Sequence, residues 1–100
     1  MYVYNITTRV DPGIAGDWVR WQKEVHIPEI LATGHFTGFR MYELLEQDTP
    51  EGRTYVVQFL ARDLLCYQEY MTFHHPGLRE KAIQKWGDRF LSFRTLLSEI

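Results

Sequence analysis

An α+β domain running strand, helix, strand, strand, helix, strand is what this sequence predicts, and three observations carry the expectation. Runs rich in β-branched and aromatic residues open and close the chain, with two more in its middle. Apolar residues recur at helical spacing in the two long stretches that separate the first run from the second and the third from the fourth. Pro and Gly punctuate the chain at the joins, as at Asp11-Pro12-Gly13, Gly34, Pro76 and Gly87.

Tyr2 to Val10 reads as the first strand, ended by Asp11-Pro12-Gly13. Ile14, Trp18, Trp21 and Val25 then follow at intervals of four, three and four, which puts them on one face of a helix. Pro28 is expected to break that helix, because the residue before a proline is pushed out of the helical region. A short segment should continue from Pro28 to Ala32 and close at Gly34. Phe36 to Glu46 reads as the second strand, Gln47 to Arg53 as a hairpin connection, and Thr54 to Ala61 as the third strand. Asp63 is placed to cap a helix running to about Phe73, and Pro76 to begin another that carries Leu78, Ala82 and Trp86 on one face. Gly87 ends it, and Arg89 to Ser98 is the last strand.

This order is the ferredoxin-like βαββαβ pattern. It implies one four-stranded antiparallel sheet with helices on one face, the first strand lying between the third and fourth, and the second helical region split at Pro76. All 100 residues are expected to form one such domain. Alternation along the strands divides them into two faces. Tyr4, Ile6, Phe39, Met41, Tyr55, Val57, Phe59, Leu91, Phe93 and Leu97 form a nearly all-apolar set that should face the helices. Trp18, Trp21, Phe59 and Phe93 are expected to carry the core. The opposite set mixes Val3, Val56, Leu60 and Leu96 with Asn5, Arg40, Gln58 and Arg94. Its mixed character suits a face covered by a second copy of the same sheet, a homodimer of the α+β barrel kind, with a partly wet space between.

A net charge of −2 with scattered basic residues disfavours nucleic acid as a partner. The one cysteine, Cys66, cannot form an internal disulfide and suits a reducing compartment, so the cytoplasm is the expected location. No apolar run reaches the length of a membrane span, and no membrane partner is expected. Fifteen per cent aromatic residues call for a wide core, an interface or a site for an apolar ligand.

His26 is the acid–base candidate, read as lying at a helix end whose free carbonyls would favour its charged form. His74 and His75 precede Pro76 and read as a helix junction, and His35 stands in a turn beside Gly34. No spacing of His, Cys, Asp or Glu fits a zinc site, so no metal is expected, and no glycine-rich loop or nucleophile elbow is present, so no cofactor is expected either. Asn5, Gln58 and Arg94, with Arg40, form the expected ligand-binding set, Arg94 being the natural partner of a carboxylate or other small anion.

Tyr4 to Thr7 (YNIT), Glu24 to Pro28 (EVHIP), Thr33 to Phe36 (TGHF), Val56 to Phe59 (VVQF) and Phe93 to Leu97 (FRTLL) together resemble a family of short bacterial proteins, domain-of-unknown-function family 4286. The resemblance spans nearly the whole chain, with Val25 standing where an acidic residue is expected. That family is similar in layout to the dimeric α+β barrel proteins, among them antibiotic-biosynthesis monooxygenases, haem-degrading monooxygenases, stress-responsive barrel proteins and muconolactone isomerases. Asn5 matches in type one residue used by the haem-degrading branch, but Trp86 follows His74 and His75, so that branch's Asn, Trp and His set does not carry over. The family implies no activity of its own; the leading expectation, from the mixed sheet face and its polar residues, is a homodimer that binds a small anionic or aromatic ligand between the sheet and the helices or between the two sheets. The alternatives are a cofactor-independent monooxygenase or isomerase, and a structural or interaction protein with no small ligand.

Overall fold

The computed structural model describes residues 1–46 and 50–100. Strand β1 (Tyr2–Val10) leads through a short 3-10 turn at Pro12–Ile14 into α1 (Ala15–Trp21). A π-helical segment, Gln22–His26, joins α1 directly to α2 (Ile27–Ala32). Strands β2 (Gly38–Glu43) and β3 (Arg53–Ala61) follow, then α3 (Leu64–Phe73), α4 (His75–Trp86) and β4 (Phe90–Ser98). Among the described residues the strands form one antiparallel sheet in the order β2-β3-β1-β4. The expected order of elements and the place of β1 in the sheet therefore stand. Of the connection expected at Gln47 to Arg53, residues 47–49 lie outside the described residues.

The expected caps form. The Asp63 carboxylate accepts from the Cys66 backbone N–H at 2.9 Å, satisfying a donor that the first turn of α3 would leave free. Pro76 occupies the first turn of α4, where its missing N–H costs nothing, and Gly87 ends the helix at a φ of 62° that favours glycine. His74 joins α3 to α4 with neither helix capped by its side chain.

Pro28 does not break the first helix. Ile27 stays helical at φ −60°, ψ −46°, and its N–H reaches back five residues to the Gln22 carbonyl. Widening the helix by one residue per hydrogen bond accommodates a proline that cannot donate, so the preference of the pre-proline residue is overridden without a kink. The buried face changes as a result. Trp18, Gln22, His26 and Ile30, spaced by four, all line the same cavity, whereas Val25, expected on the buried face, is exposed. In a regular α-helix a step of four drifts by about 40°, and the wider π turn cancels part of that drift.

The core has two parts. Tyr4, Ile27, Ile30, Phe36, Val57, Phe59, Ala61 and Tyr70 pack together, with Phe36 edge-on to Tyr70 at 4.8 Å between ring centres. Val10, Ile14, Ala15, Trp18 and Tyr55 form the second, where Trp18 stacks on Tyr55 at 5.4 Å. Phe93 belongs to neither and is 63% exposed.

That exposure reflects a correction to β4. Its register pairs Tyr4 with Leu96, Ile6 with Arg94, Thr8 with Ser92 and Val10 with Phe90. Directly paired residues share a face, so Ser92, Arg94 and Leu96 face the helices while Leu91, Phe93 and Leu97 lie on the open face, the reverse of the expectation. Strand β4 is an edge strand of mixed sequence, with apolar neighbours at Phe90-Leu91 and at Leu96-Leu97, so either phase leaves leucines outside. Arg94 reconciles the observed phase with burial, because its long side chain covers apolar surface while its head reaches water.

Candidate functional site

The expected site residues fall on two sides of the sheet. On the open face Asn5 pairs with Gln58, and Gln58 with Arg40, in one row across β1, β3 and β2. The Gln58 amide donates to Asn5 Oδ1 at 3.2 Å, and the Asn5 amide donates to Thr7 Oγ1 at 3.4 Å. Thr95, and not Arg94, continues this row on β4. Arg94 thus cannot join Asn5 and Gln58 in one site, because the sheet itself separates them.

On the other side, a cavity of about 80 Å³ lies between the sheet and the helices, with room for several waters or a small ligand. Strand β1 supplies Tyr4, Ile6 and Thr8, β3 supplies Val57 and Phe59, and the helix running through the π segment supplies Gln22, His26 and Ile30. Tyr70 comes from α3, His75, Leu78 and Arg79 from the start of α4, and Ser92 and Arg94 from β4. The walls are mostly rings and aliphatic groups, and the polar groups converge. Thr8 and Ser92 hydroxyls bond each other at 2.8 Å, which satisfies both inside the apolar wall.

Arg94 Nη1 donates to His75 Nε2, so that nitrogen must be the unprotonated one of a neutral imidazole. Burial, with the Arg94 and Arg79 guanidiniums beside it, holds His75 down to about 4. Burial likewise lowers His26 to about 4, only partly offset by Glu29. This reverses the expectation that a helix end would favour charged His26: the helix does not end there, and desolvation outweighs any carbonyl attraction. His26 stacks on Trp21 at 4.6 Å between ring centres, five residues apart, a contact the π segment brings about. Burial also raises the Tyr4 and Tyr70 hydroxyls, with Arg94 pulling both back in part. The cavity therefore holds two neutral histidines, two neutral tyrosines and two cationic arginines at neutral pH.

Sequence reasoning named His26 and Arg94 but missed His75, Tyr70 and Arg79 as their companions. The adjacency of His74 and His75 to Pro76 was the available signal, since a proline in the first turn aims the start of α4, but nothing local says that α4 points at the sheet.

The pH dependence of stability checks the His26 environment. A histidine held neutral in the fold and free to protonate near 6.5 when unfolded contributes fully above pH 6.5 and loses its contribution as pH falls toward 4. Urea unfolding should show about 2 kcal/mol more loss between pH 7 and 4.5 in the native protein than in His26→Gln. The lowered carboxyls of Asp11 and Asp63 act at lower pH and in both proteins alike, so parallel curves would show that His26 is not buried as described.

The chain belongs to the family described as Domain of unknown function (DUF4286), which matches residues 1–100. No curated protein matches the sequence. Among solved structures the fold is similar to an EthD family protein from Bacillus halodurans, at 14% identity and a TM-score of 0.72 over 100% of both chains. HapK from Hahella chejuensis is similar at 14% identity and a TM-score of 0.72, over 100% of this chain and 93% of that one. A candidate antibiotic biosynthesis monooxygenase from Deinococcus radiodurans is similar at 12% identity and a TM-score of 0.65, over 100% of this chain and 93% of that one. These likenesses show the ferredoxin-like α+β fold.

Proposed function

We propose that this chain forms a homodimer through the open face of its sheet and that each copy binds a small ligand in the cavity between sheet and helices. The cavity carries the reading. Interiors close-pack, and a chain of 100 residues that keeps an open space among Tyr4, Phe59 and Tyr70 gives up packing that a larger side chain would supply. An apolar concavity with a few convergent polar groups is the usual form of a small-molecule site. Neutral His26 offers one donor and one acceptor nitrogen, and His75, whose Nε2 accepts from Arg94, offers its remaining N–H, so the two imidazoles can orient a ligand without adding charge of their own.

A second reading, a cofactor-independent monooxygenase or isomerase, is favoured by those same two imidazoles facing one space and by the monooxygenase name of a structural neighbour. Such an enzyme needs His26 or His75 to take a proton from the substrate. Groups held near 4 are weak bases, so binding is the better supported role until a ligand's own negative charge raises them.

Titration of the labelled protein with phenol and with indole, followed by amide and side-chain NMR, tests the binding reading. Shifts should concentrate at Tyr4, His26, Tyr70 and Ser92 and spare Asn5, Gln58 and Thr95 across the sheet. Shifts confined to the open face, or none at millimolar ligand, would remove the cavity as the site.

A further inference from the structure

Two arginines line this cavity, and among the described residues no carboxylate lies within 4.0 Å of either. The ion pairs that do form use Arg9, His35, Lys81 and Arg89. Arg94 instead spends a guanidinium N–H on a neutral imidazole, an acceptor that bears no charge. Arg79, one turn into α4, lines the same space, and both arginines are exposed, so they sit where the cavity meets water. The twelve-residue α4 begins there too, at His75, with no side chain capping its first turn. Its unmatched N–H groups add positive potential to that of the two guanidiniums. Below this cationic mouth the walls are Tyr4, Phe59, Tyr70 and Ile30, which suit an aromatic body.

From this juxtaposition we propose that Arg94 and Arg79 form an anion site at the mouth of the cavity, where the carboxylate of an aromatic acid displaces His75 from Arg94 while the ring enters below. The inference rests on the ligand-binding reading and names its ligand class. The displaced bond is a charge-to-neutral one and the bond that replaces it is a charge-assisted pair, with a planar fork available for both carboxylate oxygens. His75 thus holds the arginine in position while the site is empty and gives way when the acid arrives. Its released ring stays at the mouth, free to donate to the same carboxylate through its protonated nitrogen.

Isothermal titration with benzoate and with benzamide, which differ in charge and little in shape, tests the proposal. Native protein should bind benzoate at least tenfold more tightly than benzamide. In Arg94→Gln that preference should fall below about threefold, with Arg94→Lys between the two because it keeps the charge and loses the fork. Gln and Lys both keep an unbranched stem over the apolar surface that Arg94 covers, and thermal melts beside the titrations check that each variant is folded. Benzoate should also move the His75 ring resonances in the native protein and leave them in place in Arg94→Gln. Equal affinity for the two compounds, or a benzoate preference untouched in Arg94→Gln, overturns the anion site while leaving the cavity able to bind phenol or indole. Binding of neither compound overturns the anion site as well, and the phenol and indole titration then decides separately whether the cavity binds anything.

Discussion

Replacing Phe59 with alanine is expected to cost about 3–5 kcal/mol of unfolding free energy, the range for a buried aromatic ring removed from a packed core. Phe59 is 1% exposed at the middle of β3, a strand with neighbours on both sides. Its ring lies 5.3 Å from that of Phe36 and 6.3 Å from that of Tyr4, and it borders the cavity. The truncated site would therefore join an existing space instead of collapsing, and enlarging a cavity adds to the loss of transferred surface. Trp21→Ala should cost much less, about 1–2 kcal/mol, because Trp21 is only half-buried, stacking on His26 and meeting Trp86 edge-on. Urea melts of the two variants should separate them clearly; a Phe59→Ala midpoint at or above that of Trp21→Ala would show that the core is centred on the first helix and not on β3.

The fold was legible because its signals are local. Asp63, Pro76 and Gly87 fix helix ends through groups within a few residues, and alternation in β1 and β3 states their faces without ambiguity. Two features were not legible, and each rests on something distant. The face of β4 depends on its pairing with β1, eighty-odd residues earlier, and a strand with adjacent apolar residues at both ends reads equally well in either phase. The helix through Pro28 depends on a change of hydrogen-bond pattern that spacing alone does not announce, since Ile14, Trp18, Trp21 and Val25 fit a regular α-helix that then stops. Both errors bear on the candidate site. Moving Arg94 to the helix side and carrying His26 into a continuous buried helix brings those two residues to one cavity, whereas reading each strand and helix alone put them apart. Asn5 and Gln58 were placed together correctly because β1 and β3 are central strands whose register follows from their own alternation.

If the chain forms the proposed homodimer, Phe93→Asp is expected to convert it into a monomer. The open face carries Leu91, Phe93, Leu97 and Tyr42, each 46–63% exposed, around half-buried Val3, Val56 and Leu60. These apolar side chains flank the polar row of Thr95, Asn5, Gln58 and Arg40 on both sides, and under the proposed homodimer they are the surface that the second copy covers. A second copy is the occupant that suits it, because a two-fold axis places the same mixed patch on itself. The polar row does not oppose this. Gln58 and Asn5 already bond each other within one chain, so covering them leaves few groups unsatisfied, and Arg40, on edge strand β2, can keep its charge at the rim. Each two-fold contact contains Phe93 twice, and its row runs through Thr7, Val56 and Tyr42, so an aspartate there would bury two carboxylates with no cation in that row. The loss in dimer affinity should exceed about a hundredfold, the scale of a central aromatic anchor. Stability of the monomer should change little, since Phe93 lies outside both core clusters. Light scattering at micromolar concentration should give twice the chain mass for the native protein and the chain mass for Phe93→Asp, with matching circular dichroism. A native protein that scatters as a monomer, unchanged by concentration, would leave the open face without its partner and the edge leucines without an explanation.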